Sequence, residues 1–390
     1  MADIYTETTT KGLGSRLGDS IKGVVVGLVL AVVSVPLLYW NEGRAVRTAK
    51  SLREGAGAVV SVGADRIDAA NEGKLVHFSG ASVCNERLND PTFNVAAVAV
   101  KLARKVEIYQ WTESKKEETR KETGGSEKTT TTYTYDKKWS DQLEKSSEFK
   151  VKEGHVNPPL MPELSHEWKA RRVTVGAFVL GPELIDKMGT FEKLPLGSED
   201  LAGFPAENGV RAVLADGVAY YGANPALPAV GDLRISYSVV KPGPLSVIGK
   251  QQGKEVAAYQ TQAGDALLML SAGTHKAAAM FAAAEAENAM LTWILRLVGL
   301  LLMCIGIYSV FKPLAVVGDV VPIVGSMLAA GLGLFAALIG TSISVMVIAF
   351  AWVAYRPLVG GPLLLAGVAG IIAMVMMRKK KVVAAPVPGK

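Results

Sequence analysis

Few residues in this chain have the types and spacing that catalysis or metal binding requires. The two cysteines, Cys84 and Cys304, cannot form a four-cysteine zinc site, and the four histidines lie far apart in the sequence. Cys84 and His77 are seven residues apart and could meet in a hairpin, where a structural pair is favoured because nothing marks the thiol as activated. No nucleophile elbow, P-loop, His-Glu-x-x-His or dinucleotide-binding glycine motif is present. The sequence therefore predicts a protein that is not an enzyme and has no cofactor and no metal site.

The charged residues are too few for a typical soluble protein. Of 390 residues, 49% are hydrophobic and 20% are charged, and the mean hydropathy is +0.26. A soluble domain usually has about 25% charged residues. The formal net charge of +6 is concentrated in short clusters beside apolar runs, which is better evidence for membrane orientation than for nucleic-acid binding. We expect an integral, multi-pass membrane protein that is surrounded by lipids and binds no nucleic acid.

Long apolar runs near both ends of the chain predict four transmembrane helices. The first run, Gly23–Trp40, has no charge and ends in an aromatic pair suited to the membrane interface. It is longer than the apolar core of a signal peptide and no cleavage site follows, which indicates a signal anchor. The four predicted spans are residues 21–40, 292–311, 326–355 and 357–377.

The apolar stretch Leu314–Tyr355 leaves the number of spans open. Asp319, Pro322 and Gly325 make its first part a poor spanning helix, so we expect residues 312–325 to form an interfacial or re-entrant connection. A turn near Gly340 would instead give five spans.

Basic residues predict the orientation of the spans. The cluster Arg378–Lys381 marks the tail, residues 378–390, as cytoplasmic, and four spans put the N-terminal tail, residues 1–20, on the same side. Residues 41–275 are then extracytoplasmic, followed by a helical stalk at residues 276–291. The basic residues that follow the first span argue against this orientation, but long domains translocate largely regardless of charge.

Residues 41–275 have the pattern of a β-rich domain, which gives an α+β membrane protein. Val106–Trp111 alternates with period two, Lys128–Trp139 is β-prone, and two glycines lie between them, so we expect an extended hairpin with a charged tip. The tip is either a solvated loop or a surface for a partner. The motif Asn41-Glu42-Gly43-Arg44 is echoed by Asn71-Glu72-Gly73-Lys74, and each copy is expected to form a turn. Further strand candidates are residues 172–180, 211–221, 233–240, 245–250 and 266–270.

Two ionisable residues lie in or near the apolar runs. Arg296 is about one turn inside the second span, where it either reaches the interface or pairs with Asp319 or a lipid phosphate. Small residues that allow close helix approach are candidates for packing within the chain or for self-association: Gly23, Gly27, Gly325, Ala329 and Gly333.

Several blocks in sequence order resemble the transmembrane protein 43 family, also called LUMA. They are Asn41–Ala45, Asn71–His77, Val106–Trp111, Gly231–Arg234 and Tyr355–Leu358. The resemblance covers nearly the whole chain and implies a four-span protein of endomembranes that self-associates and organises other membrane proteins. In animals this implies the endoplasmic reticulum and inner nuclear membrane. The Ala/Gly/Val-rich composition indicates a bacterial member, hence an inner-membrane protein with a periplasmic domain.

The leading hypothesis is a non-enzymatic membrane scaffold that forms a homo-oligomer and contacts other membrane proteins. One alternative is a channel or transporter, for which Arg296, Asp319 and Pro322 are the only candidate residues. Another is a lipid-binding protein that holds headgroups with Arg296 and the cluster Arg44, Arg47, Lys50 and Arg53.

Overall fold

A computed structural model describes residues 3–207, 209–362 and 365 of the chain, and it divides into two compact units. Within the described part, the β unit consists of residues 3–9, 51–119 and 129–283. The helical unit consists of residues 10–50, 120–128 and the described residues from 284 onward. Each unit is therefore assembled from separate stretches of chain.

Three of the α-helices are long and apolar enough to cross a membrane. The α-helices among the described residues are α1 (Leu13–Ala58), α2 (Pro182–Lys187), α3 (Ala277–Gly318) and α4 (Pro322–Tyr355), and residues 357–362 are also helical. The candidate spans are α1, α3 and α4. At 1.5 Å per residue, the 46 residues of α1 extend over about 69 Å, more than twice the thickness of the hydrocarbon core.

The strands are mostly short and lie between α1 and α3, apart from the first. They are β1 (Asp3–Lys11), β2 (Val60–Ser61), β3 (Leu75–Val83), β4 (Arg87–Asn89), β5 (Ala96–Val98), β6 (Lys101–Lys121), β7 (Glu127–Ser140), β8 (His166–Lys169), β9 (Val173–Val175), β10 (Phe178–Leu180), β11 (Glu192–Leu194), β12 (Val213–Ala215), β13 (Val218–Tyr221), β14 (Leu233–Val240), β15 (Pro244–Gln252), β16 (Glu255–Ala257), β17 (Tyr259–Gln260), β18 (Ala266–Leu267) and β19 (Met269–Ala272).

The larger sheet has the strand order β1-β7-β6-β14-β13-β12, with β11 paired to β14 and β8 paired to β6. Strand β14 runs antiparallel to β6 in a register that places Leu233 opposite Ile108 and Val240 opposite Lys101. Its buried side chains alternate with half-buried ones along β14, as expected for a sheet with one face in the core.

A second sheet closes on itself. Strands β15, β16, β10, β9 and β3 pair in that order and β3 pairs back to β15, which makes a ring of five strands, while β19 and β2 extend it. Phe78 and Phe178 stack with their ring centroids 4.0 Å apart in the buried core. Side chains from both sheets form one apolar cluster, and this shared core holds the β unit together.

The extended hairpin is confirmed by β6 and β7. Its turn contains Gly124 and Gly125 with φ of +92° and +80°, a conformation that glycine adopts without strain. The strands continue almost to the turn, so residues 113–121 are extended chain rather than the solvated loop that their charge suggested. Cross-strand hydrogen bonds in a β ladder accommodate charged side chains that point to solvent.

Helix α1 differs from the prediction at both ends. It begins at Leu13 and ends at Ala58, whereas the predicted span covered residues 21–40. Asn41-Glu42-Gly43-Arg44 lies inside this helix, so the predicted turn at this motif is wrong. At the second copy of the motif Gly73 has φ +76°, and the predicted turn is confirmed there.

The predicted connection at residues 312–325 is also wrong. Helix α3 continues to Gly318 and α4 begins at Pro322, which leaves only residues 319–321 between them. Proline suits the first turn of a helix, where its missing N–H has no partner to lose. Helix α4 is continuous through Gly340, which rules out the turn that five spans required. Residues 277–291, which were predicted to be a helical stalk, form the first part of α3, and the helix runs on into the apolar run.

The N-terminal residues form a strand that the sequence analysis did not predict. Strand β1 pairs with β7, and residues 3–9 belong to the β unit. This differs from the prediction of a separate tail at residues 1–20 on the other side of the membrane from residues 41–275. The predicted fourth span, residues 357–377, and the tail, residues 378–390, lie outside the described residues except for 357–362 and 365.

Candidate functional site

A buried carboxylate connects the three candidate membrane helices. Glu42 of α1 has no exposed surface, and its Oε1 and Oε2 accept hydrogen bonds from Nε (2.6 Å) and Nη2 (2.9 Å) of Arg296 on α3. Trp352 of α4 donates its Nε1–H to the same carboxylate over 2.8 Å. We call these three residues the Glu42 junction. A two-pronged arginine–carboxylate pair is among the strongest polar contacts in proteins.

The guanidinium of the Glu42 junction is covered by aromatic rings. Its carbon lies 4.7 Å from the ring centroid of Trp293 and 5.7 Å from that of Trp352. Stacking on indole faces suits the weakly hydrated guanidinium, and it shields the ion pair from solvent. The arrangement can hold three helices in one register, and it leaves the carboxylate engaged by three donors.

A second polar layer, formed by Asn41, Arg44, Asn288 and Thr292, follows directly along α1 and α3. Asn41 Nδ2 donates to the Thr292 carbonyl oxygen over 3.1 Å, and Asn288 Nδ2 donates to the Ala45 carbonyl over 3.0 Å. Arg44 donates to Asn288 Oδ1 and to Thr292 Oγ1, both over 2.9 Å. Hydrogen bonds among these side chains and the facing backbone link α1 to α3.

Glycines allow the helices to approach closely around these polar layers. A Cβ atom on Gly27 of α1 would lie 2.6 Å from the carbonyl oxygen of Gly306 on α3, and one on Gly340 of α4 would lie 2.7 Å from the sulfur of Cys304 on α3. A Cβ on Gly43 would lie 2.7 Å from the ring of Tyr355. Van der Waals contact between backbones at small residues is a main source of helix association in membranes.

A separate ion-pair cluster forms around Asp319, between α3 and α4. The Asp319 carboxylate is buried and contacts Arg16 Nη2 at 2.5 Å and Lys121 Nζ at 2.7 Å. Arg16 also donates to the Gly125 carbonyl (2.7 Å) and pairs with Glu127 (2.8 Å). All of these residues belong to the helical unit, so the hairpin tip, residues 120–128, contacts the connection that follows α3.

Arg296 and Asp319, the two predicted ionisable site residues, are not brought together. Arg296 pairs with Glu42 and Asp319 pairs with Arg16, so the alternative in which Arg296 pairs with Asp319 is wrong. Both partners were missed because Glu42 was assigned to a turn and Arg16 to a tail. One signal could have found Glu42: two antiparallel spans bring the end of the first, where Glu42 is the nearest acidic residue, and the start of the second, which carries Arg296, to the same membrane face.

The small residues singled out from the sequence have different surroundings. Gly27 packs against α3. Because Gly325 has no side chain, the Asp319 carboxylate can occupy the space beside it. Gly23 and Gly333 have no atom within 4 Å of an ideal Cβ position, and Ala329 is half-buried. Of the four glycines in this set, Gly27 and Gly325 make close contacts within the described chain.

Cys84 and His77 do not meet in a hairpin, because His77 lies on β3 and Cys84 follows the end of the same strand. The Cys84 sulfur donates to the Ala99 carbonyl, and His77 Nε2 contacts the His275 carbonyl oxygen at 2.9 Å. Burial lowers the pKa of His77, which favours the neutral imidazole. Among the described residues no group of three or more metal-ligating side chains comes together.

Comparisons with known proteins find one family. The family model of transmembrane protein 43 matches residues 108–357. Human transmembrane protein 43 is 35% identical over 393 aligned residues, which cover 95% of this chain and 96% of the human protein. The protein of the same name from Pongo abelii is 34% identical and covers 97% and 98% of the two chains.

A more distant relative is the transmembrane protein 43 homolog of Drosophila melanogaster, which is 32% identical over 87% of this chain and 91% of its own length. No solved structure matches the chain significantly. The family match over more than half of the chain, the full-length relatives and the three apolar helices lead to one conclusion: the chain is an integral membrane protein that belongs to the transmembrane protein 43 family.

Proposed function

We propose that this protein is a non-enzymatic, multi-pass membrane scaffold that self-associates through its spans and presents its β unit on the non-cytoplasmic side. The observation that carries the proposal is the Glu42 junction, which joins α1, α3 and α4 through one buried carboxylate. A bundle fixed in this way keeps the surfaces of its helices in a constant arrangement. Surfaces that are already fixed in place lower the conformational cost of binding a lateral partner.

The polar contacts favour a structural role over transport or headgroup binding. Glu42 and Asp319 are both engaged by cations of the same chain, so neither offers the open carboxylate that an ion pathway uses. Arg44 and Arg296, two of the residues that the lipid-binding hypothesis relied on, donate to protein acceptors. Reconstituted liposomes would test transport directly, since flux that is lost in Asp319→Asn would contradict the scaffold proposal.

Self-association can be tested at Gly23 and Gly333, two half-buried glycines with open space at the Cβ position. A Cβ atom at Gly23 or Gly333 has no atom of the described residues within 4 Å, so we expect Gly23→Leu and Gly333→Leu to fold normally and to lower the oligomer population by about tenfold. Native mass spectrometry in lipid nanodiscs measures this population. Val25→Leu is the matched control because Val25 is exposed on the same helix. A strictly monomeric wild-type protein would contradict the proposal.

The side on which the β unit lies is tested independently by protease protection in sealed vesicles. We expect residues 51–119 and 129–283 to be protected when the C-terminal tail is cleaved. Cleavage of both from the same side would overturn the proposed orientation.

A further inference from the structure

A cavity of about 400 Å³ lies on the face of the larger sheet that is turned away from the core. Its walls include Glu107 on β6, Trp139 at the end of β7, Lys193 on β11, Tyr220 on β13 and Arg234 on β14. All of these residues belong to the β unit. The volume is within the range of pockets that hold small ligands. The Glu42 junction and the proposed scaffold role do not use this cavity.

One guanidinium in the cavity is held in a fixed orientation. Arg234 Nε donates to Glu107 Oε2 over 2.7 Å, and the guanidinium carbon lies 4.7 Å from the ring centroid of Trp139. Burial acts to raise the pKa of Glu107, but hydrogen bonds from Arg234 and Lys105 outweigh it, so the pKa is lowered and the carboxylate is charged at neutral pH. The salt bridge and the indole face together restrict the rotation of the Arg234 side chain.

The terminal nitrogens of Arg234 remain available to a ligand. In the part of the chain that the structure describes, Glu107 is the one acceptor recorded for this side chain, and it uses Nε only. Arg234 is 38% exposed, so its Nη groups can reach solvent. Two parallel N–H donors on a planar group match the two oxygens of a carboxylate or phosphate.

A second cation lines the same cavity. Lys193 is exposed on β11, next to the central strand β14, and the described residues provide no salt-bridge partner for it. The aromatic side chains beside it pack together. The ring centroid of Trp139 lies 6.1 Å from that of Tyr220, edge to face, and 5.2 Å from that of Tyr109. The hydroxyl of Tyr220 is already used, since it donates to Asp232.

We propose that this cavity binds a soluble ligand that carries a phosphate or carboxylate group on a planar body. The oxyanion contacts Arg234 and Lys193, and the planar body packs against the indole of Trp139. Asp216, an exposed carboxylate at the rim, opposes the oxyanion and limits the affinity. The proposal does not depend on self-association of the protein.

The test is equilibrium dialysis of the full-length chain in phosphatidylcholine nanodiscs with radiolabelled phenyl phosphate, with empty nanodiscs as the blank. We expect one saturable site per chain. Arg234→Gln should weaken binding about tenfold or more and Lys193→Gln by a smaller factor, because each removes a charged donor. Asp216→Asn should strengthen binding several-fold. Lys254→Gln, an exposed cation on a turn of the other sheet, is the matched control and should leave binding unchanged.

Three results would overturn the proposal. The first is the absence of saturable binding of phenyl phosphate to the wild-type chain. The second is binding that is unchanged in Lys193→Gln and Asp216→Asn, which are surface substitutions that keep the test valid if Arg234→Gln fails to fold. The third is competition that increases with the fraction of phosphatidylserine in the nanodisc, because this would identify a lipid headgroup as the source of the anion.

Discussion

The sequence Asn-Glu-Gly followed by a basic residue occurs twice in this chain and adopts a different structure each time. At residues 71–74 the motif begins at the last residue of a short 3₁₀ helix, and Gly73 has φ +76°. The exposed Glu72 carboxylate accepts a hydrogen bond from the N–H of Gly253 over 3.0 Å. At residues 41–44 it continues α1, and Glu42 is buried against Arg296. The same four positions make a turn in one unit and a helix junction in the other.

The difference shows that flanking sequence, not the motif, selects the backbone conformation. The first copy follows eighteen uncharged residues, and a helix that has already formed adds further residues at little cost. Its polar side chains then find acceptors and donors on α3 and α4. The second copy directly precedes β3. The chain must turn at this point so that β3 can pair with β15. Matched substitutions at the two copies therefore measure what each context contributes.

The largest difference is expected at the glutamates. Glu42→Gln leaves the buried Arg296 without its counter-charge, and breaking a buried ion pair costs about 3–5 kcal/mol. Glu72→Gln alters an exposed hydrogen bond and should change the free energy of unfolding by less than about 0.5 kcal/mol. Unfolding in mixed micelles by titration with SDS measures both.

The double variant Glu42→Gln/Arg296→Gln sharpens the comparison. It removes both charges, so it should recover much of the stability lost in Glu42→Gln alone. Equal losses in the single and double variants would show that the two side chains do not form a pair.

The glycines should give intermediate effects with different causes. Gly43→Ala places a Cβ 2.7 Å from the Tyr355 ring, and such overpacking costs about 1–3 kcal/mol. Gly73→Ala meets no atom within 4 Å, but it forces a residue with a Cβ into φ +76°, which costs about 1–2 kcal/mol.

Asparagine distinguishes the two mechanisms in the same unfolding assay. Because asparagine tolerates positive φ, Gly73→Asn should be milder than Gly73→Ala, whereas Gly43→Asn should be worse than Gly43→Ala because it is larger. Similar behaviour of asparagine at both positions would refute the assignment of strain to one and crowding to the other.

The smallest difference is expected at the asparagines. Asn41→Ala removes a buried hydrogen bond to the Thr292 carbonyl and should cost about 1 kcal/mol. Asn71 has no side-chain hydrogen bond among the described contacts, so Asn71→Ala should be close to neutral. Thermal unfolding followed by circular dichroism is sensitive enough for this comparison, and a larger loss at Asn71 would reverse it.

The parts of the fold that depend on local patterns could be predicted from the sequence. The hairpin was found because β6 and β7 alternate with period two around two glycines, and β14 was placed at its observed bounds. The ends of α1 and the connection after α3 could not be placed in this way. Hydropathy marks where a helix is apolar, whereas the helix itself continues for as long as its backbone and polar side chains find partners.

The Glu42 junction as a whole could not be predicted from local patterns, for a related reason. Arg296 was singled out because it interrupts an apolar run, but nothing local to Glu42 marks it as its partner. Trp352 lies another 56 positions beyond Arg296 in the sequence. Pairs of this kind are determined by the packing of the helices. No short pattern in a single sequence encodes that packing.

The separation of Glu42 from its counter-ion also has a consequence for biosynthesis. The two residues are 254 positions apart. At about 5–20 residues per second, translation supplies Arg296 roughly 13–50 s after Glu42 has been made. Throughout that interval the carboxyl group has no native cation, so it must stay hydrated near the bilayer surface, take up a proton, or be shielded by the insertion machinery. The contact between Glu42 and Arg296 therefore forms late, after the second of the two helices has been synthesised.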